Sequence, residues 1–368
     1  MHIIPKVIQK VVNNIEYLKR RLIKSKYFSE LFEFGILSVL LEPQIKHIYG
    51  SKKIDYDNDE LIVICILLNG ELYIKSFMEH YCSMGVKHFV FLDNGSTDRT
   101  IEMLKNYENV TILQSKAPYS IYENTMKRYL AEHFSKGKWN LFSDIDELFE
   151  YPCADKLDLK GFLQYLNHHS YNVVVAQMLD MFSDTPLGDI SSSPEDSLKD
   201  KYKYYDISDI HKSDYPFAKP IPKHIKMHSG GIRSRLFGTN NGLTKAALVK
   251  MEPNVKTFVW WHHTRNGRLA DVSCVLKHYP FNSSYFLKVK EAVQTGRYGN
   301  STTDEYLAYW EVLKSNSNLN LKFETASLFS GLEKLVDQGF IIVSAQYSEW
   351  VNKEEYLSQK RTIESSSD

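Results

Sequence analysis

The chain has 368 residues, and its 45 Lys+Arg are balanced by 45 Asp+Glu. At 43% apolar and 24% charged residues it can bury a sizeable core, which excludes a largely disordered chain. A formal net charge of zero argues against a dedicated nucleic-acid binder, which carries a basic excess over its domain. The length allows two domains, or one with extensions. Cys65, Cys82, Cys153 and Cys274 form no CxxC pair. They read as buried free thiols of a reducing compartment rather than zinc ligands. Met1-His2-Ile3-Ile4-Pro5 leads into a charged segment and not a secretory signal. The apolar runs Gly35–Leu41 and Leu61–Leu68 fall short of the ~20 residues that span a bilayer. The expectation is a soluble, cytoplasmic protein, at most peripheral at the inner face of a membrane.

In chain order, Val7, Val11, Ile15, Leu18 and Leu22 form a helical stripe among basic residues. Residues 7–26 therefore read as a basic amphipathic helix that packs on its own domain or lies on an anionic membrane. Residues 51–60 are polar and read as a linker. Leu61–Leu68 is a β-branched apolar run, as expected of a strand buried on both faces. A helix follows, with Phe77, Tyr81 and Met84 on one side and Gly85 as its stop. His88–Leu92 is a second strand, with Ser96, Thr97 or Asp98 capping a short helix through Ile101 and Leu104. Val110–Leu113 is a third strand, and Ser120–Glu123 fits a capping box opening a helix to about Phe134. Trp139–Phe142 and Asn172–Met178 are the fourth and fifth strands. This alternation implies an α/β fold with a mostly parallel sheet and helices on both faces. Ligands of such sheets bind beyond the carboxyl ends of the strands. Five prolines make residues 184–222 a long loop or lid. Residues 201–280 hold 14 Lys+Arg against five Asp+Glu, so a basic stretch hides inside the neutral sum. Residues 304–352 read as helical, and Ser365–Asp368 as a frayed end.

Asp144, Asp146 and Glu147 directly follow the fourth strand. Acids this close repel unless a cation lies between them, and a hard divalent cation such as Mg²⁺ or Mn²⁺ bridges carboxylates to substrate phosphates. Leu92-Asp93-Asn94-Gly95-Ser96-Thr97-Asp98 ends the second strand. It suits a nucleotide base or ribose, and equally a simple capped turn.

Together these motifs resemble the family 2-type glycosyltransferases of the GT-A fold, which is Rossmann-like. The subgroup most similar is the bacterial DxDE-type set, related in pattern to the family 92 glycosyltransferases. Residues 178–187, 230–238 with 243–245, and 262–278 resemble its later blocks. The likeness covers about residues 60–312. It implies an N-terminal helical extension (1–55), a catalytic domain (56–300) and a C-terminal helical segment (301–368). It implies metal-dependent, inverting sugar transfer from a nucleotide-sugar donor to an acceptor hydroxyl of a carbohydrate or glycolipid. The setting would be a capsule, lipopolysaccharide or exopolysaccharide pathway. Asp144 and Asp146, with His278 as a late ligand, would hold Mn²⁺ or Mg²⁺. Asn69, Asp93, Asn94, Ser96, Asp98, Arg128, Asp144, Arg233 and Lys245 would bind the donor, with a UDP-sugar favoured. Asn94 stands where the family carries an acid, and an amide both donates and accepts. The segment expected to supply the general base, Val259–Thr264, has no acid. His262, His263, Asp180 and Asp271 are therefore the candidates. The alternatives are a sugar-nucleotide-forming nucleotidyltransferase, or a non-catalytic carbohydrate-binding protein with a decayed site.

Overall fold

The computed structural model describes residues 35–218, 222–260, 262–299 and 301–365. The basic stripe at 7–26 and most of the N-terminal extension lie outside them, as do residues 366–368 of the expected frayed end. The strands in chain order are β1 (Lys46–Tyr49), β2 (Leu61–Leu67), β3 (His88–Asp93), β4 (Val110–Gln114), β5 (Trp139–Phe142), β6 (Glu147–Glu150), β7 (Val173–Asp180), β8 (Tyr204–Tyr205), β9 (Ile210–Asp214), β10 (Lys226–Gly230), β11 (Thr244–Lys250), β12 (Lys256–Trp260), β13 (His263–Arg265), β14 (Cys274–His278) and β15 (Ser327–Leu328). The helices that matter here are α1 (Leu37–Leu41), α2 (Ile74–Ser83), α3 (Thr100–Leu104), α4 (Tyr119–Phe134), α5 (Leu159–His168), α6 (Leu198–Lys201), α7 (Ile232–Phe237), α8 (Tyr285–Thr295), α9 (Ser301–Ser315), α10 (Leu332–Asp337) and α11 (Ala345–Ser365).

Nine strands form one sheet in the order β1-β4-β3-β2-β5-β11-β7-β14-β6. Six of them, β2, β3, β4, β5, β7 and β14, run in one direction, and β1, β11 and β6 oppose them. The alternation of β2 shows why helices cover both faces. Leu61, Val63, Cys65 and Leu67 enter one apolar cluster with α2 and α5. Ile62, Ile64 and Ile66 enter another with α4 and α1.

The five expected strands are present, and the structure adds β1, β6, β11 and β14 to the same sheet. The added strands pair antiparallel to a neighbour, so they break the regular strand–helix alternation that made the others visible. Residues 46–49, grouped with the N-terminal extension on sequence, hydrogen-bond to β4. In the 51–60 segment, Tyr56 is buried and its hydroxyl donates to the Trp139 carbonyl oxygen at 3.1 Å. The capping box at Ser120–Glu123 is not formed: α4 opens at Tyr119 with Pro118 at its N-cap. Glu123 instead pairs with Lys127 one turn on, at 3.1 Å. The described residues 184–218 of the expected loop or lid contain regular elements. They carry α6, β8 and β9, and Leu187, Leu198, Tyr202 and Tyr205 join the core. All four cysteines are free, but only Cys65 and Cys274 are buried, while Cys82 is exposed. No helix of the described residues is long and apolar enough to cross a membrane.

The buried Tyr81 hydroxyl ties α2 to the acid-bearing turn. It meets Ser143 Oγ at 2.8 Å, donates to the Glu147 carbonyl at 3.1 Å and accepts from the Phe149 N–H at 2.9 Å. Tyr81→Phe strands a buried N–H. It should lower unfolding free energy by about 1–3 kcal/mol in urea titrations, whereas an unchanged midpoint would remove this bond set from the account.

Candidate functional site

A cleft of about 770 Å³ opens at the carboxyl ends of the co-directional strands. Strand order explains which side chains converge there. Across the β6-β14-β7 ladder, His278 is the register partner of both Glu147 and Asp180. Two charge groups stand on that floor.

The first gathers Asp144, Glu147, Lys245 and Lys127. Lys245 Nζ donates to Asp144 Oδ2 at 2.9 Å and also to Glu147 Oε1. Lys127 Nζ is 3.5 Å from Asp144 Oδ1. Burial works against every one of these charges. Lys127 and Lys245 overcome it at Asp144, whose carboxyl lies well below the usual range. At Glu147, burial wins and, with Asp144 beside it, moves the carboxyl up despite Lys245. Lys245 is pushed up by its two acids against its burial.

The second group is a chain. Lys288 Nζ is 3.1 Å from Asp146 Oδ2, and His278 Nε2 is 3.6 Å from the same oxygen. His278 Nδ1 meets Asp180 Oδ1 at 2.6 Å, and Arg233 Nε donates to Asp180 Oδ2 at 2.8 Å. Burial opposes the charge on His278, but Asp146 and Asp180 raise it to about 9. Lys288 and His278 hold Asp146 well below its usual range against its own burial.

Asp146 and His278 fit a hard divalent cation as two protein ligands. Such ions commonly take one or two protein carboxylates and leave other positions to water and phosphate. The contact of Nδ1 with Asp180 is what orients a ligating histidine. Asp144, expected as the third ligand, is turned to Lys245 and Lys127 instead. Among the described residues no group of three or more His, Cys, Asp or Glu forms a metal-holding cluster.

The 93–98 turn is built differently from the expectation. Asp93 is fully buried; its carboxylate accepts from the Gly95 and Ser96 N–H groups and from Gln114 Nε2. Ser96 Oγ accepts from the Asn69 N–H at 2.8 Å, and Asn69 Oδ1 from the Thr97 N–H at 2.9 Å. Asp98 accepts from the Glu71 N–H and caps Thr100. These side chains lock the loop after β2 to the loop after β3. Asn69 and Asp98 still line the cleft; Asp93, Asn94 and Ser96 lie behind it. Arg128 is buried on α4, donating to the Phe258 carbonyl and to Thr125 Oγ1, and is not a lining residue.

The base candidates separate by place. Asp271 lies outside the cleft, accepting from Tyr165 at 2.7 Å and from Ser344 at 2.6 Å, next to α11. It precedes β14, whereas the site follows it. Asp180 is engaged by Arg233 and His278. His263 stacks on Phe217 at 4.1 Å between centroids, and burial brings it down to about 4. His262 lines the cleft, and burial with Lys245 and Lys127 lowers it well below its usual value. Glu305, which the sequence reading missed, also lines the cleft and accepts from Asn241 Nδ2 at 2.6 Å. Its burial raises its carboxyl.

Of the described lysines and arginines of the basic 201–280 stretch, only Arg233 and Lys245 line the cleft. Lys127, Lys288 and Arg297 come from elsewhere. Lys127 and Lys288 had a readable signal. Each lies on a helix with buried residues three or four places away, Leu130 and Ala131 for Lys127, Tyr285 and Ala292 for Lys288.

No family model matches the chain, and no curated protein matches it. Among solved structures it is similar to S. aureus TarS, with 21% identity over 39% of this chain and a TM-score of 0.26. It spans only about a quarter (26%) of that chain. Against S. aureus TarS 1–349 it is 14% identical over 70% of this chain and 74% of that one, with a TM-score of 0.29. Against a 4-diphosphocytidyl-2C-methyl-D-erythritol synthase it is 10% identical over 38% of this chain and 70% of that one, with a TM-score of 0.23. Likenesses this low carry no functional argument.

Lys245→Met leaves two acids facing each other on a buried floor. It should cost about 3–5 kcal/mol in urea unfolding, and Glu147→Gln in the same chain should recover part of that loss. Additive losses in the double variant would show that the two residues are not coupled.

Proposed function

We propose that the protein is a metal-dependent, inverting glycosyltransferase that moves a sugar from a nucleotide-sugar donor to an acceptor hydroxyl. The observation that carries this reading is the convergence of Asp146 and His278, with Asp180 behind His278, at the carboxyl ends of parallel strands beside a cleft with room for such a donor. Its companion is the family 2-like motif set read from the sequence. The acceptor is a carbohydrate or glycolipid, and the setting a surface-glycan pathway inside the cell, on that resemblance alone.

Asp146 and His278 would hold Mn²⁺ or Mg²⁺. Bound there, the ion supplies Lewis-acid stabilisation of the charge that grows on the departing diphosphate. Asp180 keeps His278 oriented. Arg233, Lys245 and Lys288 present cationic N–H groups toward the same volume, where phosphate oxygens would lie. Two lining groups can take the acceptor's proton, Glu305 and His262. Glu305 is favoured because burial moves it up, toward the neutral range where a carboxylate is a better base. His262 is moved the other way, which weakens it as a base.

Assays with purified protein and a panel of UDP-, GDP- and CMP-sugars test the reading. Asp146→Asn should cost at least ~100-fold in kcat with unchanged circular dichroism. EDTA should abolish transfer and Mn²⁺ restore it; full activity in EDTA would sink the metal assignment. Glu305→Gln should lower kcat by about 10²–10⁴-fold. Because the folded Glu305 carboxyl is raised, activity in the wild type should fall on the acid side at a pH above the ordinary carboxylate range. That limb should vanish in Glu305→Gln. A larger loss in His262→Gln than in Glu305→Gln would move the base to His262.

A further inference from the structure

Tyr285 opens α8 and lines the cleft. It is 3% exposed, and its hydroxyl is buried without a hydrogen-bond partner among the described residues. The ring is held from several sides. Phe281 meets it edge-on at 5.1 Å between centroids, and Phe237 and Tyr309 lie at 6.3 and 6.4 Å. The start of α8 is fixed as well. The Tyr285 N–H donates to the Asn282 carbonyl at 3.0 Å, and Asn282 Nδ2 donates to the Tyr73 hydroxyl at 2.6 Å. The Tyr285 hydroxyl thus keeps its place through packing and not through a bond of its own.

Tyr309 gives the contrast. Its hydroxyl accepts from Asn241 Nδ2 at 2.8 Å, and the same amide nitrogen donates to Glu305 at 2.6 Å. One tyrosine of this cluster is tied into a network and the other is not. An unpaired buried hydroxyl costs free energy, and a phenylalanine would fill the same space beside Phe237 and Phe281 without that cost. Nothing in the fold itself uses this oxygen, so its use is for a group that enters the cleft.

The surroundings point to the chemistry of that group. Charges of both signs act on the hydroxyl, from Arg233, Lys288 and Asp180. Burial, with Tyr309 and Asp180, moves it well up despite the two cations, so it keeps its proton and can donate. A phosphate offers acceptors alone, and the acids nearby repel it. A sugar hydroxyl both donates and accepts, so it can accept from Tyr285 and give its own proton to a carboxylate. Along α8, Lys288 lies one turn on from Tyr285 and reaches Asp146 at 3.1 Å. Tyr309 leads the other way, through Asn241 to Glu305. Tyr285 therefore stands between the acid assigned above to the ion and the acid assigned above to the acceptor's proton. The transferred sugar has to occupy that interval.

We propose that Tyr285 is a specificity-determining residue whose hydroxyl bonds a hydroxyl of the transferred sugar. The inference rests on the nucleotide-sugar reading above and adds to it the residue that tells one sugar from its deoxy analogue.

Calorimetric titration with Mg²⁺ and no acceptor tests it. Each UDP-, GDP- and CMP-sugar of the panel is measured against its own free nucleotide, which reads the sugar's share of binding separately. For the nucleotide-sugar that wild type binds best, Tyr285→Phe should weaken binding about 5–30-fold and leave the free nucleotide unchanged. Analogues of that donor lacking one hydroxyl at a time locate the bond. One of them should lose as much with wild type and lose nothing further with Tyr285→Phe. Thermal denaturation of the ligand-free variant should give a midpoint equal to or above that of wild type, because no bond is lost. Equal weakening of nucleotide-sugar and free nucleotide would make Tyr285 a phosphate contact and overturn the proposal. So would unchanged binding of both, or a lowered midpoint, which would give the hydroxyl a structural role. If no nucleotide or nucleotide-sugar of the panel binds wild type, the nucleotide-sugar reading fails first and this inference with it.

Discussion

The constraint on which the site depends is the neutralisation of buried acids by buried cations. Asp146, Glu147 and Asp180 are each less than a tenth exposed, and ions so placed survive only in close pairing. The pairs come from distant parts of the chain: Lys245 on β11, His278 on β14, Arg233 on α7 and Lys288 on α8. The Lys245 and His278 pairs depend on the places of β11 and β14 in the sheet. The position of β14 between β7 and β6 is what brings His278 into the site. It sets His278 beside Asp180 on one side and beside Glu147 on the other. Part of the core and the chemistry are consequently assembled by the same long-range pairings.

What could be read from the sequence follows from how local each cause is. β2 was legible because an unbroken β-branched run has one common explanation, burial on both faces, and its alternate residues do enter two separate cores. β11, Thr-Lys-Ala-Ala-Leu-Val-Lys, has weaker strand composition, and its place next to β5 is decided by tertiary pairing. The capping box at Ser120 had the right letters, but Pro118 opens the helix one residue earlier. Asp144 and Asp146 were legible because acids after a buried strand need a counter-charge. Which counter-charge was less so: Lys127 and Lys288 stand on the buried sides of their helices, but only tertiary packing decides which acid each one meets. Asp271 was misplaced for the complementary reason. It is near β14 in sequence but at the end away from the site, where Tyr165 and Ser344 take its oxygens.

The turn at 93–98 shows why residue type alone gave an incomplete answer. Asp93, Ser96 and Asp98 are polar, adjacent to a strand end and suited to a ligand. The structure instead uses them on backbone N–H groups of their own loops. That use rigidifies the loops after β2 and β3 relative to each other, which is what a preorganised binding wall requires. Asn94 carries the same lesson in finer form. An amide is ambiguous as a residue type, but two backbone carbonyls consume its donors and remove the ambiguity.

The zero net charge of the chain acquires a local counterpart at the cleft. At its floor Asp144, Asp146, Glu147 and Asp180 are each paired with a cation drawn from Lys127, Lys245, Lys288, Arg233 and His278. On the function proposed above, a nucleoside diphosphate would bring two or more negative charges into a volume where water screens them poorly. These cations are already committed to acids, so they cannot neutralise the newcomer fully without exposing their partners. On the function proposed above, a divalent cation held by Asp146 and His278 would supply positive charge beside that diphosphate. On this argument the lysines and the metal are complements. The lysines hold the buried acids, and on the proposed function the ion would bring the charge that the diphosphate needs.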